Sequence, residues 1–201
     1  MSQIPPISLA TLTVRILIES EGLIMKQGMA LAKIDSFDTK RLAFRLMTEA
    51  EWELFIYNTL VEDEIYITFG EEKNEELLGN ITKPFYHNTI YYSLHLPDTN
   101  AMIGYVGYFT PKNQIEYYIF KDFRRQGYAF EAVGALVDML TNGVILGKAI
   151  DEIRAWTVLE NNPSSELLLK LGFQWTGYSV NYSGVTENNF LYSHNLVYLS
   201  N

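Results

Sequence analysis

The chain has 201 residues, of which 48% are hydrophobic and 14% aromatic, and this is enough apolar material for one sizeable core. Its formal net charge of -9 at pH 7 argues against binding to nucleic acid or to an anionic membrane and is better suited to a cationic substrate. Because the sequence contains no cysteine, it excludes disulfides, thiolate zinc sites and a cysteine nucleophile.

Residues 1–34 are the hardest part of the chain to assign. The stretch from Leu9 to Ala32 is apolar but is interrupted by two glycines, which argues against one long helix. Since disordered tails are poor in apolar residues, we expect an N-terminal appendage that packs on the main domain or on a second copy of the chain, as in a homodimer. The alternative is a natural start at Met25 or Met29. Residues 35–201 are predicted to form one domain.

The sequence gives no sign of export or of membrane insertion. Its apolar stretches are broken well before the roughly 18 residues that a membrane span needs. The N-terminus lacks the basic region, apolar run and cleavage site of a signal peptide. We therefore expect a cytoplasmic protein.

The main domain is predicted to begin with a strand and a helix. Leu42, Phe44 and Leu46 alternate with polar or small neighbours, which is typical of a half-buried strand and predicts the first strand of the domain. The sequence Thr48-Glu49-Ala50-Glu51 has the form of a capping box and predicts a helix start. A second helical piece is predicted over residues 71–79, where the glutamates indicate a solvated face.

The second half of the chain alternates clearly between strand and helix patterns. Three antiparallel strands joined by short hairpins are predicted from the alternation and the turn residues between them. In chain order the predicted elements are strands at 90–96, 102–109 and 114–120, a helix at 128–140, a strand at 152–158, a helix at 164–171 and a hairpin at 173–198. This order predicts a mixed α/β fold.

A candidate phosphate-binding turn lies between the third of these strands and the next helix, at Arg124-Arg125-Gln126-Gly127-Tyr128-Ala129. The first amides of a helix lack internal partners and lie at the positive end of its dipole, so they can receive a pyrophosphate. Gly127 lets the backbone approach a phosphate closely, and the two arginines add positive charge. An ordinary turn with a solubilising arginine pair is the competing interpretation.

A second group of polar residues follows the strand at 152–158. The Asn161 side chain can hydrogen-bond an extended amide chain, while Ser164 is expected to cap the next helix and can offer its hydroxyl to a leaving group. That helix ends at Lys170-Leu171-Gly172-Phe173. Because Asn and Ser are also common in turns for backbone reasons, a purely structural role stays open for both.

The residues of the turn and of this second group together resemble the GNAT superfamily of N-acetyltransferases. The Arg/Gln-x-x-Gly-x-Gly/Ala turn of that superfamily matches Arg124, Gly127 and Ala129. Its later Asn-x-x-Ser and Lys-Leu-Gly-Phe motifs match Asn161-Asn162-Pro163-Ser164 and Lys170-Leu171-Gly172-Phe173. Three ordered motifs at such spacing are far more specific than any one of them.

The start of the main domain extends the resemblance to one branch of the superfamily. Thr39-Lys40-Arg41-Leu42-Ala43-Phe44-Arg45 is similar to the Thr-Glu-Arg-Leu-x-Leu-Arg start of the branch that contains the ribosomal-protein alanine N-terminal acetyltransferases. The resemblance covers residues 38–198. It implies a mixed, mainly antiparallel central sheet with two splayed strands, flanked by helices. It also implies direct transfer of an acetyl group from acetyl-CoA, as co-substrate, to an amine without a metal.

The resemblance also implies roles for particular residues. The backbone of Arg125-Gln126-Gly127-Tyr128-Ala129 and the side chain of Arg124 would hold the coenzyme A pyrophosphate. Asn161 would touch the pantetheine arm. The developing oxyanion would be met by a strand amide near Ile119 or Tyr118.

The acid and base are less clear because the sequence departs from the superfamily pattern. An amine must be neutral to attack, so a base is useful at pH 7. The superfamily branch often has a glutamate where this chain has Gln114, and Glu116, two residues later on the same strand face, is the candidate base. An ordinary strand carboxylate is the alternative. Many members have a tyrosine where this chain has Leu168, so Ser164 is the candidate acid.

Three functions are compatible with this pattern. The first is acetylation of a protein or peptide N-terminal amine, and the second is acetylation of a small cationic amine such as a polyamine, an aminoglycoside or an amino-acid derivative. The third is a non-catalytic acyl-CoA-binding module. The histidines, at positions 87, 95 and 194, have no metal-ligand spacing, so no metal site is predicted.

Overall fold

The computed structural model describes residues 13–15, 34–61, 88–181 and 184–194. Its strands are β1 (Thr13–Arg15), β2 (Ser36–Asp38), β3 (Ala43–Leu46), β4 (Thr89–His95), β5 (Met102–Phe109), β6 (Gln114–Ile119), β7 (Glu152–Val158), β8 (Gln174–Val180) and β9 (Thr186–Ser193). Its helices are α1 (Glu49–Val61), α2 (Tyr128–Thr141) and α3 (Asn162–Lys170). Within the described ranges, no helix is both long and apolar enough to cross a bilayer.

All these strands belong to one sheet with the order β1-β2-β3-β4-β5-β6-β7-β9-β8. Every neighbouring pair is antiparallel except β6 and β7, which are parallel. The predicted α/β fold with a mixed, mainly antiparallel sheet is therefore confirmed.

β2 lies inside the predicted domain and precedes its predicted first strand, so that prediction is wrong; β1, in the N-terminal segment, precedes both. β1 pairs with β2, and β2 pairs with β3, with Phe37 opposite Phe44. The sequence Ser-Phe-Asp of β2 contains a single apolar residue and gives no alternation to detect. The burial predicted for β3 is also only partly right, because Leu46 at its end is 37% exposed and the following Met47 is buried instead.

The capping box at the start of α1 is confirmed. The Glu51 amide donates to the Thr48 hydroxyl over 3.3 Å, and the Thr48 amide donates to the Glu51 carboxylate over 2.8 Å. Trp52 and Phe55 on this helix are buried against one face of the sheet, where both contact the ring of Tyr105. The helix predicted at 71–79 lies outside the described residues.

The strands β4, β5 and β6 form the predicted meander, with bounds within one residue of those expected from the sequence. α2 packs on the sheet face opposite α1 and buries one apolar side, including Val133, Leu136 and Leu140, in the main core. This arrangement fixes the N-terminus of α2 close to the end of β6.

The parallel strands β6 and β7 pair at one position only, Gln114 with Arg154. The Arg154 amide also donates to the carbonyl of Asn113, over 2.7 Å. Beyond this point no further pair joins the two strands, and they separate. The splayed strands implied by the superfamily resemblance are therefore present.

Candidate active site between the splayed strands

A cavity of about 610 Å³ opens where β6 and β7 separate, and the first turns of α2 and α3 close its other sides. This volume lies within the usual range for sites that bind small molecules. Nine of the predicted site residues line it: Glu116, Ile119, Arg124, Arg125, Gly127, Tyr128, Ala129, Asn161 and Ser164. The structure thus brings together side chains from four separate elements.

The turn before α2 has the geometry of an anion-binding loop. Arg125 and Gly127 both have left-handed backbone conformations, with φ of 61° and 81°. Gly127 is the N-cap residue of α2, and no side chain caps the helix there. The first amides of α2 are therefore open to an anionic group at the positive end of the helix dipole. These residues fit the pyrophosphate of coenzyme A.

The side chains of Arg124 and Gln126 bond main-chain carbonyls of the segment that precedes the turn. The Arg124 Nε donates to the carbonyl of Ile119 over 2.7 Å, and its guanidinium lies 5.1 Å from the centre of the Tyr118 ring. Arg124 therefore contacts the end of β6. The Gln126 side chain donates to the carbonyl of Asp122 over 3.2 Å and does not line the cavity.

Glu116 lies on β6 with its carboxylate at the cavity wall. It is opposite Gly107 of β5, where an added methyl group would lie only 2.9 Å from Cγ of Glu116 and from the ring of Tyr91. Burial raises the pKa of Glu116 to about 7, although a hydrogen bond from the Tyr91 side chain opposes that shift. A carboxyl group with a pKa near the working pH is suited to general-base catalysis.

The cap of α3 is Asn161, so the prediction that Ser164 caps this helix is wrong. The Asn161 Oδ1 accepts a hydrogen bond from the Ser164 amide over 3.3 Å. The helix begins at Asn162, with Pro163 in its first turn, and this places Ser164 inside the helix. Both Asn161 and Ser164 still line the cavity, whereas Leu168 is fully buried in the core.

Tyr117 is a cavity residue that the sequence did not single out. Its hydroxyl donates to the Ser164 carbonyl over 3.4 Å and so joins β6 to α3. Burial raises the pKa of Tyr117 to about 12, which keeps the phenol neutral at physiological pH. It stands among several strand tyrosines, and no sequence pattern separates it from its neighbours.

A second cavity, of about 410 Å³, adjoins the first at Trp156, which lines both. It lies where β6, β7, β8 and β9 meet. Its lining combines polar and apolar side chains and contains no carboxylate among the described residues: Gln114, Arg154, Ala155, Trp156, Thr176, Asn189, Phe190 and Leu191.

Within the described ranges, no cluster of three or more His, Asp or Glu side chains could hold a metal ion. His95 instead bonds the Glu51 carboxylate over 2.9 Å and the Ser93 hydroxyl over 3.0 Å, and so ties β4 to α1. His87 lies outside the described residues.

A sheet that splays beside a candidate phosphate-binding turn, with a carboxylate on the adjoining strand, has the architecture of an acyl-CoA-dependent transferase. The family model for the acetyltransferase (GNAT) domain matches residues 41–174. The chain therefore belongs to the GNAT acetyltransferase family. It is an N-acetyltransferase that uses acetyl-CoA as co-substrate. No curated protein sequence matches the chain.

Solved structures share this fold at low sequence identity. The ribosomal-protein-S5-alanine acetyltransferase from Vibrio fischeri has a TM-score of 0.59 and 16% identity, covering 80% of this chain and 97% of that one. A GNAT-family acetyltransferase from Bacillus anthracis has a TM-score of 0.61 and 19% identity, and the match covers 80% of this chain and 99% of that one. The spermidine N-acetyltransferase from Vibrio cholerae, in complex with CoA and spermine, has a TM-score of 0.61 and 14% identity. This match covers 78% of this chain and 98% of that one. The acceptors named for the first and third of these proteins differ, so the likeness defines the fold and not the amine.

Proposed function

We propose that this chain transfers the acetyl group of acetyl-CoA to the N-terminal amine of a peptide or protein, with Glu116 as the general base. The observation that supports the catalytic part is the half-buried Glu116 at the cavity wall, whose pKa is raised to about 7. Such a group is partly ionised at neutral pH and can accept the proton of an incoming ammonium group.

The residues around the cleft define the proposed steps of the acetyl transfer. Glu116, directly or through a water molecule, takes a proton from the acceptor ammonium group, and the neutral nitrogen forms a bond to the thioester carbonyl carbon. A main-chain amide near Tyr118 or Ile119 stabilises the oxyanion that develops. The carbon–sulfur bond then breaks, and the nitrogen, which became cationic on attack, gives up its second proton while the departing coenzyme A thiolate gains one. The Ser164 hydroxyl is our candidate relay for this proton, because it can pass its own proton to sulfur and regain one from nitrogen. Thiols are acidic enough that this last step needs little help.

The second cavity supports a peptide as the acceptor. It adjoins the cleft at Trp156 and offers the amide groups of Gln114 and Asn189 and the guanidinium of Arg154. Arg154 is 62% exposed, and its only ion pair among the described residues is a 3.8 Å contact with Glu152, which is weak at the surface. Amide and guanidinium groups suit the carbonyls of a peptide, whereas a polyamine needs carboxylates for its further cations.

A small cationic amine is the second candidate acceptor. The net charge of -9 favours it through long-range attraction, and the spermidine N-acetyltransferase among the similar structures is an enzyme with this fold that acts on such an amine. The non-catalytic alternative finds no support, because the chain belongs to a family of acetyltransferases.

A panel of acceptors assayed with the purified chain and acetyl-CoA tests the proposal. We expect kcat/KM for unblocked peptides to exceed that for spermidine and other small amines by at least about tenfold, because the second cavity adds contacts that only a peptide can make. The variant Arg154→Ala should raise KM for the peptide and leave the affinity for coenzyme A unchanged. Lys148→Ala, which removes an exposed charge that lines neither cavity, is the control. A higher kcat/KM for polyamines than for any peptide would contradict the proposed acceptor.

A further inference from the structure

Arg41 lies against the phosphate-binding turn, although it does not line the cleft. Its Nη1 donates to the carbonyl of Gln126 over 2.9 Å, and its guanidinium lies 4.7 Å from the centre of the Tyr128 ring. Its Nη2 would be 3.3 Å from a Cβ atom on Gly127. One guanidinium therefore contacts three consecutive residues of the turn; Gly127 and Tyr128 line the cavity, whereas Arg41 does not.

Glu131, in the first turns of α2, holds Arg41 in this position. Its Oε2 accepts from the Arg41 Nε over 2.6 Å, and its Oε1 accepts from the Arg41 amide over 2.9 Å and from the Thr39 hydroxyl over 2.6 Å. Burial alone would raise the pKa of Glu131, but the hydrogen bonds from Thr39 and Arg41 outweigh it and lower that pKa. The carboxylate is therefore ionised at neutral pH. Such a multiply bonded pair is more rigid than a simple surface ion pair.

The contact with Gln126 fixes the direction of the next amide. In a planar trans peptide the carbonyl and the following N–H point to opposite sides. Since Arg41 binds the Gln126 carbonyl on one side of the turn, the Gly127 N–H must point to the other side, where Gly127 lines the cavity. An unrestrained peptide at a glycine could rotate and turn its carbonyl toward the anion, which would repel it.

We propose that Arg41, held by Glu131, is a positioning residue for coenzyme A. It sets the peptide between Gln126 and Gly127 so that the Gly127 amide donates to the pyrophosphate. The inference rests on the pyrophosphate lying at this turn and is independent of the acceptor amine. It also gives a role to the Thr39-Lys40-Arg41 segment, which the catalytic steps do not use.

Two arginine variants separate positioning from charge. Arg41→Ala removes both the charge and the hydrogen bonds, while Arg41→Lys keeps the charge but cannot bond Gln126 and Glu131 in the same fork geometry. Lys40→Ala removes one exposed positive charge from the adjacent residue and is the matched control. Glu131→Gln releases Arg41 without changing any residue of the turn, and it carries the test if either arginine variant does not fold.

The measurements are the coenzyme A dissociation constant by calorimetry and the Gly127 amide resonance during titration with inorganic pyrophosphate. We expect both arginine variants to bind coenzyme A about tenfold or more weakly, the usual value of a hydrogen bond to a charged group. Lys40→Ala should bind as the wild type does. The Gly127 resonance should shift with pyrophosphate in the wild type and in Lys40→Ala, but much less in Arg41→Lys and Glu131→Gln.

Two results would overturn the inference while leaving the phosphate site intact. One is wild-type coenzyme A affinity in Arg41→Lys together with a loss in Arg41→Ala and Lys40→Ala, because charge alone would then explain the effect. The other is an unchanged Gly127 response in every variant. If the wild-type chain itself binds neither coenzyme A nor pyrophosphate at Gly127, the proposed pyrophosphate site fails and the inference fails with it.

Discussion

The substitution Glu116→Gln separates the catalytic role of this residue from its effect on stability. Glutamine keeps the size of the side chain and can still accept the hydrogen bond from Tyr91, but it cannot take a proton from the acceptor amine. If Glu116 is the base, turnover should fall about 100-fold or more. The affinity for coenzyme A should stay the same, because the phosphate-binding turn is untouched.

The same substitution should stabilise the fold, and the magnitude follows from the pKa. Burial raises the pKa of Glu116 from its ordinary value of 4.5 to about 7. The folded chain therefore holds this proton more tightly than the unfolded chain, so stability is lost as the pH rises from about 4.5 to about 7 and stays lower above that. At about 1.4 kcal/mol per pKa unit the loss is at most roughly 3.5 kcal/mol, and less to the extent that water in the cleft screens the charge.

Denaturant unfolding and steady-state kinetics over a pH series measure both effects. The stability advantage of Glu116→Gln should be near zero at pH 4.5 and should grow up to about pH 8. Glu187→Gln is the matched control for turnover. Burial also raises the pKa of Glu187, but this residue lies outside both cavities, so its substitution should leave turnover unchanged. Full turnover in Glu116→Gln at every pH would refute its role as base, and a stability advantage that does not change with pH would refute the argument from burial.

Three further predictions concern the rest of the site and the edge of the sheet. Gly127→Val should abolish the thermal stabilisation by coenzyme A, because a β-branched residue is strained at φ 81° and meets Arg41, whereas Gly147→Ala, at a φ of 71° with nothing nearby, should retain it. Ser164→Ala should lower kcat by no more than about tenfold if its hydroxyl only assists thiolate departure, and Lys148→Ala, which changes a residue outside both cavities, should have no effect on kcat. Deleting residues 1–28 removes β1 and should lower the melting temperature and promote aggregation; an equally stable, soluble and active product would show that the segment is dispensable.

The elements predicted well from the sequence are those whose signal is local. β4, β5 and β6 alternate in polarity between turn-forming residues, and the helix after Gly127 has a clear apolar side. The position of Glu116 at the cleft is predicted from the superfamily's glutamate at the place of Gln114 together with strand alternation, since every second residue of β6 shares a face. The capping box at Thr48 and Glu51 is equally local, and its hydrogen bonds are those expected.

The features that the sequence did not reveal depend on contacts between distant segments. Arg41 and Glu131 are 90 positions apart, so no window of sequence contains both. The bond from Tyr117 to Ser164 exists only because β6 and α3 face each other across the splay. The direction of the Arg124 side chain is decided by the free carbonyl of Ile119 at the end of β6. Each of these requires the register and the packing of the sheet to be known first.

The single pairing of Gln114 with Arg154 has a consequence for how this sheet avoids aggregation. Where β6 and β7 part, each presents a row of main-chain donors and acceptors without a strand beside it, as an edge strand does. Exposed edges invite other chains to add as further strands. Here the two edges face each other across a narrow wedge that is closed at one end and walled by α2 and α3. A thin amide chain such as pantetheine can enter this wedge, but a strand that belongs to another sheet cannot.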